Sequence, residues 1–405
     1  MRRKLKKALY VAILSVVISL LILIYLQDYL AFTEEIYHKV YDKFTEWDVQ
    51  KAKPPKEIND VVLVLIDNNT LYHMPFVPMR WPYPRSYFAT VINNLKAAHA
   101  KIIGIDFVFL GKSDEKEDNA LKESLNNEGI ILGSSINDRG ELEFFTSSEL
   151  AKGVTSGVVT KIADHDGKIR RGMIYLTDAS RPHRAFLSLC MQMLRGAKKI
   201  NPNSFTSGES DVAFKNDAGE KWDVPVSKKT KEFLIHYRGH TTDFPHLSFY
   251  HAMNGKFKPE KVKDKIVLIG LASSLFTDVH STPLDWMPGV TVNANAFLTL
   301  YAHDFLKEIP WYLEWLIILL GTAISSLFVS FLKTRRALFS LGAEMLLFFA
   351  LSYLLFRHGL VLDYGLIPTV ILAGTLSGRI LGKNLYSIYD YIDTRRRIKK
   401  AGLDK

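Results

Sequence analysis

The sequence predicts an α/β domain, with a largely parallel sheet and flanking helices, joined to an α-helical membrane domain of four transmembrane helices. Three observations predict it. The runs Val61–Ile66 and Ile102–Ile105 are short, β-branched and apolar throughout, with a helix-length pattern at Tyr87–Ala98 between them. This reads as a βαβ crossover, whose parallel strands are covered on both faces and so show no polar alternation. Four further stretches, 8–26, 311–332, 337–356 and 360–380, are apolar over the length that a bilayer core of ~30 Å requires. The formal charge of +10 is concentrated beside them: residues 1–7, 333–336 and 379–405 hold 16 Lys/Arg against 3 Asp/Glu, leaving 36 basic and 39 acidic residues elsewhere. That is the positive-inside pattern. It removes nucleic acid as a partner of the main domain.

In chain order, the basic residues 1–7 lead into a first transmembrane helix at 8–26 with no small-residue cleavage site after it. A polar helical stalk, Thr33–Trp47, ends before Lys53-Pro54-Pro55. After the βαβ unit, Lys112–Asp118 reads as a charged loop, Asn119–Asn127 as a short helix and Ile130–Gly133 as a third strand. Ser134–Leu150 fits strand or loop equally. Asp164-His165-Asp166-Gly167 is a turn ahead of a strand at Met173–Thr177 rather than a metal site. Cys190, the one cysteine, excludes an internal disulfide and a Cys-based metal site, and its apolar helical setting makes it a core thiol.

Residues 200–230 are a polar surface excursion with a hairpin, and Phe233–Tyr237 resumes as a strand. Ser248 is placed to cap a helix at Phe249–Asn254. Ile266–Gly270 is the last parallel-type strand, and a long loop, Leu271–Pro288, leads to a helix at Val290–Tyr301. Trp311, Tyr312 and Trp315 form an interfacial aromatic belt at the outer end of the second span, and Lys333–Arg336 closes it inside. Four spans place both termini, including the tail 381–405, in the cytoplasm and residues 27–310 outside. Glu344, inside the third span, is expensive there. Its place toward the inner end suggests a local structural role with Arg335 or Arg336. The basic tail suits anionic membrane lipid.

Between two acid-ended strands, Arg80-Trp81-Pro82-Tyr83-Pro84-Arg85 opens a helix. Then come Gly167–Arg171 (GKIRR), Ile235–Gly239 (IHYRG), Lys265–Gly270 (KIVLIG), Asp278–Leu284 (DVHSTPL) and Met287–Thr299 (MPGVTVNANAFLT). In this order, over residues 36–305, they resemble a CHASE2 domain. The resemblance implies an extracytoplasmic sensory module of bacterial membrane receptors, usually followed by three membrane helices and a cytoplasmic cyclase or kinase output domain. After Arg379 no output domain is readable, and the residues there are too few to fold as one. The expectation is a sensor subunit of the bacterial cell membrane, itself no enzyme, acting as a homo-oligomer and relaying an unknown environmental signal to a cytoplasmic signalling partner in trans. The alternative is a non-sensing scaffold whose α/β domain binds an envelope protein.

The candidate ligand site gathers Asp67, Arg80, Trp81, Arg85, Asp106, Arg238 and Asp278 from loops after predicted strands. Open parallel sheets bind ligands at that edge. Carboxylates and guanidinium groups there can grip a zwitterionic or anionic small molecule, with Trp81 as an apolar wall. They can equally pair with one another. No cofactor or metal is expected. Asp106 or Ser273 with His280 offers an acid–base or nucleophile pair, but no nucleophile elbow, paired-His zinc motif or Walker loop surrounds them.

Overall fold

The computed structural model describes residues 2–25, 31–74, 83–136, 142–143, 153–177, 185–227, 230–273 and 278–400. The chain divides into two units, Thr45–Lys307 and a second made of Met1–Phe44 with Glu308–Lys405. Helix α1 (Arg2–Tyr25) belongs to the second, and α2 (Ala31–Lys51) contributes residues to both.

The α/β unit continues through β1 (Val61–Ile66), α3 (Asn68–His73), α4 (Arg85–Ala97), β2 (Ile102–Ile105) and α5 (Glu115–Leu125). Next come β3 (Ile130–Ile136), β4 (Leu142–Glu143), β5 (Ser156–Val158), β6 (Arg171–Met173), β7 (Tyr175–Thr177), β8 (Ala185–Leu187) and α6 (Leu189–Lys198). A meander of β9 (Thr206–Ser207), β10 (Asp211–Lys215) and β11 (Lys221–Pro225) precedes β12 (Glu232–Leu234) and β13 (His246–Ser248). The unit ends with α7 (Phe249–Met253), β14 (Ile266–Leu271), the hairpin of β15 (Val279–Thr282) and β16 (Asp285–Pro288), and α8 (Gly289–Tyr301).

Six strands form one parallel sheet in the order β13-β1-β14-β2-β3-β5, and β4 runs antiparallel beside the end of β3. Alternate side chains feed two cores. Val62, Val64, Ile66, Ile103 and Ile105 pack with α4, α5 and α7, while Val61, Leu63, Leu65, Ile266 and Leu268 pack with α6 and α8. Burial on both faces is why these runs carry no alternation. Helix α8 is buried at every position from Gly289 to Leu300, as an all-round apolar helix should be.

Several boundaries depart from expectation. Asp114 accepts from the Lys116 amide at 3.3 Å and starts α5 inside the stretch read as a loop. The long loop before α8 folds back as the β15–β16 hairpin. The strand read at Met173–Thr177 is split at Ile174 into β6 and β7, which pair with β12 and β8. Ser248 stands at the N-cap position of α7 but makes no side-chain capping bond; its hydroxyl donates to Asp67 at 2.8 Å. The Asp164–Gly167 segment is a turn, with Gly167 at φ 80°. Its acids receive the buried Arg170 guanidinium, at 2.8 Å to Asp164 and 2.7 Å to Asp166. Of Ser134–Leu150, only 134–136 and 142–143 lie among the described residues.

In the second unit, α1, α9 (Trp311–Ser330) and α10 (Thr334–Arg357) are long and apolar enough to cross a membrane, three helices and not four. Residues 360–380 do not make a separate span. Leu360–Val361 is a short strand, and α11 (Leu366–Lys400) is one continuous helix. Its apolar run is broken at Arg379 and Lys383, about 20 Å from its start at 1.5 Å per residue, short of a ~30 Å hydrocarbon core. Arg379 instead donates to the carbonyls of Val329 at 2.7 Å and Leu332 at 3.0 Å, satisfying the C-terminal end of α9. Helices α1, α9 and α11 approach closely through small residues: Ser19 bonds Thr322 at 3.1 Å, and a Cβ at Gly374 or Gly378 would collide with Ser19 or Ser15. Glu344 hydrogen-bonds Ser340 at 3.2 Å rather than Arg335 or Arg336.

Candidate functional site

The chain leaves β1 and β2 toward the face that carries α4, α5 and α7, but leaves β14, which lies between them, toward the face that carries α8. Connections that diverge from neighbouring parallel strands open a crevice beyond their carboxyl ends. Asp106 stands there, directly after β2, and is buried. Asn293 of α8 donates to its carboxyl at 2.9 Å, and Lys161 lies 3.7 Å away. Burial pushes the Asp106 carboxyl up from its ordinary range, and the charge of Asp278 adds to this against the opposing pull of Lys161, Asn293 and His280.

Asp278 accepts from His280 Nε2 at 2.8 Å. Burial raises its carboxyl too, but the His280 hydrogen bond and the charges of Lys161 and His280 outweigh that and leave it below the usual value. The carboxylate covers the N-terminus of α8, where partial positive charge favours an anion. Gly289 permits this: a Cβ there would sit 2.5 Å from both Asp278 carboxylate oxygens. Cys190 donates from Sγ to the Asn293 carbonyl at 3.3 Å, and burial, followed by the charge of Asp106, pushes its thiol up to about 12. It is a protonated core thiol, as its sequence setting suggests. Lys161, Cys190 and Asn293 also line a void of about 20 Å³, enough for one water.

Arg85 opens α4 and is buried. Its guanidinium binds Asp118 of α5 and donates to the carbonyls of Leu110 at 3.0 Å and Gly111 at 2.7 Å. It thus holds the loop after β2 against two helices. That loop borders an open cavity of about 570 Å³ walled by Tyr83, Tyr87, Val108, Phe109, Leu110 and Lys112. The space lies beside Arg85, with Lys112 and Glu117 in its wall, and is distinct from the Asp106–Asp278 pair. The segment Asp106–Leu110 joins them.

Asp67 serves its own turn. Its carboxylate caps α3 through the Thr70 amide at 2.8 Å and accepts from the Thr70 hydroxyl at 2.7 Å, besides Ser248. Arg238 belongs to a separate network. It grips Asp304 through two bonds of 2.5 and 2.8 Å and also binds Asp48 of α2. His236 lies 3.1 Å from Asp304 and 3.4 Å from Asp48. Burial alone would raise the Asp304 carboxyl, but hydrogen bonds and charge from His236 and Arg238 hold it well below the carboxylate range. The backbone of this segment is pinned to α8 as well, through Thr299 to His236 N at 3.0 Å and Asn295 to Arg238 N at 2.8 Å.

The fold therefore brings Asp106 and Asp278 together, gives Arg85 to the neighbouring cavity, and commits the Arg238 guanidinium to Asp304 and Asp48 rather than to either acid. Arg80 and Trp81 lie outside the described residues. Sequence reasoning missed Lys161, Asn293, Asp48 and Asp304. The two asparagines in the otherwise apolar VTVNANAF run were a readable signal, since an amide in a fully buried helix needs a partner. Nothing local marks Asp48 or Asp304. Among the described residues no group of three or more His, Cys, Asp or Glu is placed to hold a metal ion.

A model of the CHASE2 domain family matches residues 14–332 of the chain. Comparisons with curated proteins and with solved structures each found no match.

Proposed function

The chain belongs to the CHASE2 family of sensory extracellular domains, and on that premise we propose that its α/β unit receives a small polar ligand at the carboxyl edge of the sheet and passes the event along α8 to α2. One observation carries this reading. Asp106 bonds Asn293 of α8, while Val108, Phe109 and Leu110, two to four residues on, wall the cavity. A zwitterionic or anionic molecule seated there meets Lys112 and the rings of Tyr83, Tyr87 and Phe109. Displacing that wall bears on Asp106 and hence on α8, whose far end is tied through Asp304 and Arg238 to Asp48 of α2.

Such a ligand acts as a signal by binding two arrangements of this loop with different affinity. The apolar helices anchor the chain in a bacterial cell membrane, the α/β unit faces outward, and a separate cytoplasmic protein supplies the output. The chain itself is a receptor subunit and not an enzyme.

The test is thermal unfolding of the full chain in lipid nanodiscs against a panel of amino acids and small carboxylates. A ligand at ten times its Kd stabilises by ~1.4 kcal/mol. That shift should vanish in Phe109→Ala or Lys112→Ala and persist in Asp106→Asn, which lies past the binding step. Shifts untouched by either wall variant would sink the cavity as the site. An envelope protein co-purifying in stoichiometric amount, with no solute effect, would favour the scaffold.

A further inference from the structure

We propose that α10 is the face on which two copies of this chain pair in the membrane, parallel and about a two-fold axis, with Ser340 and Glu344 at the contact. This rests on the membrane helices alone and is independent of the ligand reading. In the most apolar 18-residue stretch of each helix, 11% of α10 is buried, against 33% of α1 and 28% of α9. What is buried forms one stripe, Ala337, Leu341, Ser352 and Phe356. A second stripe, Ser340, Glu344, Leu347, Leu351 and Leu354, follows the four-then-three spacing of a helix-pairing seam. Its leucines are open, at 60%, 51% and 53% exposure.

Lipid covers leucine without cost, so exposure of those three decides nothing. Glu344 decides it. It lies seven residues past Ala337, where the apolar run of α10 starts, about 10 Å along the helix at 1.5 Å per residue and so within the apolar stretch. A carboxylate at that depth needs polar company, and among the described residues its hydrogen bond is to Ser340 of its own helix. Every copy inserts in the same orientation, so a second copy arrives parallel and brings its own Ser340 and Glu344 to the same depth. Two-fold symmetry then sets each pair against the other. Each serine hydroxyl can donate to the other copy's carboxylate. A foreign helix would have to match that depth and polarity independently.

The test is disulfide crosslinking of the full chain in native membranes. Cys190 is buried, so it gives a constant background, and its protection from maleimide reports that each variant is folded. Leu347→Cys, Leu351→Cys and Leu354→Cys should give at least five-fold more linked dimer than Phe339→Cys or Leu346→Cys, which are exposed on another side of α10 at 81% and 75%. Adding Ser340→Ala and Glu344→Ala to Leu351→Cys should lower the yield several-fold, while Glu344→Gln should retain it. Equal yields at all five positions, no dimer at the three seam positions, yields unchanged by the double alanine change, or a disulfide adduct to a different protein in place of the dimer would each overturn the proposal.

Discussion

The two ends of α8 are built from the same kinds of residue and behave differently. At its C-terminal end, Arg238 and His236 meet Asp48 and Asp304 at 2.5 to 3.4 Å wherever a distance bears on Asp304 or His236, and the arginine engages Asp304 with two nitrogens. At its N-terminal end, Lys161 stays 3.7 Å from Asp106, and the two acids are driven in opposite directions, Asp106 up and Asp278 down. A bidentate arginine with a histidine makes a fixed joint. A single loosely placed lysine between two unequal acids makes a soft one. What this teaches is where motion can enter: the crevice end yields and the α2 end transmits.

The largest effect that would break this contrast comes from Arg238→Met. It takes the arginine from the buried Asp48 and from Asp304, and loss of one partner of a buried pair costs about 3–5 kcal/mol. The thermal midpoint of the α/β unit should fall by roughly 10 °C, at about 2–4 °C per kcal/mol for a domain of this size. Lys161→Met should lower it far less, and equal losses would erase the distinction between the two ends.

Gly289→Ala comes next. The added methyl meets both Asp278 oxygens at 2.5 Å, and overpacking of that kind costs on the order of 1–3 kcal/mol. The same melting assay checks it, and an unchanged midpoint would show that the Asp278 loop gives way freely.

The pH responses of the two ends should then run in opposite senses. Asp304 is held below its ordinary range, so its contribution is complete above the unfolded-state value of about 4 and is lost as pH falls further. Asp304→Asn should flatten that acid branch. Asp106 is raised instead, so its folded state holds the proton more tightly. The midpoint of the wild-type chain relative to Asp106→Asn should decline as pH rises from about 4 through the raised value. A difference that grows with pH would mean Lys161 dominates the site.

The smallest signal is a near-zero one. With its thiol pushed up to about 12 and buried, Cys190 should resist maleimide at pH 8 in the folded chain. A ligand that loosens the crevice end should speed its labelling, because Sγ rests on the Asn293 carbonyl.

Much of this was legible beforehand. The central strands, the acids at their ends, the buried α8 and the turn at Asp164–Gly167 all follow from pattern and turn chemistry. Asp106 and Asp278, both legible as loop-end acids, lie close together in the fold, whereas Asp67 and Arg238 share such positions and serve as a helix cap and a separate ion-pair tie. The seventeen-residue stretch between β14 and α8 looked shapeless because its hairpin is short and half exposed.

Sequence alone determined which segments are strand, buried helix or membrane-length helix, because burial imprints a period or an unbroken apolar run on neighbouring residues. Where charge interrupts such a run, as Arg379 and Lys383 do in α11, composition misleads until the helix is seen whole. The tertiary structure alone decided which charges meet. Asp48, Arg238 and Asp304 are far apart along the chain, and an ion pair depends on a few ångströms between side chains that only the closed fold brings together.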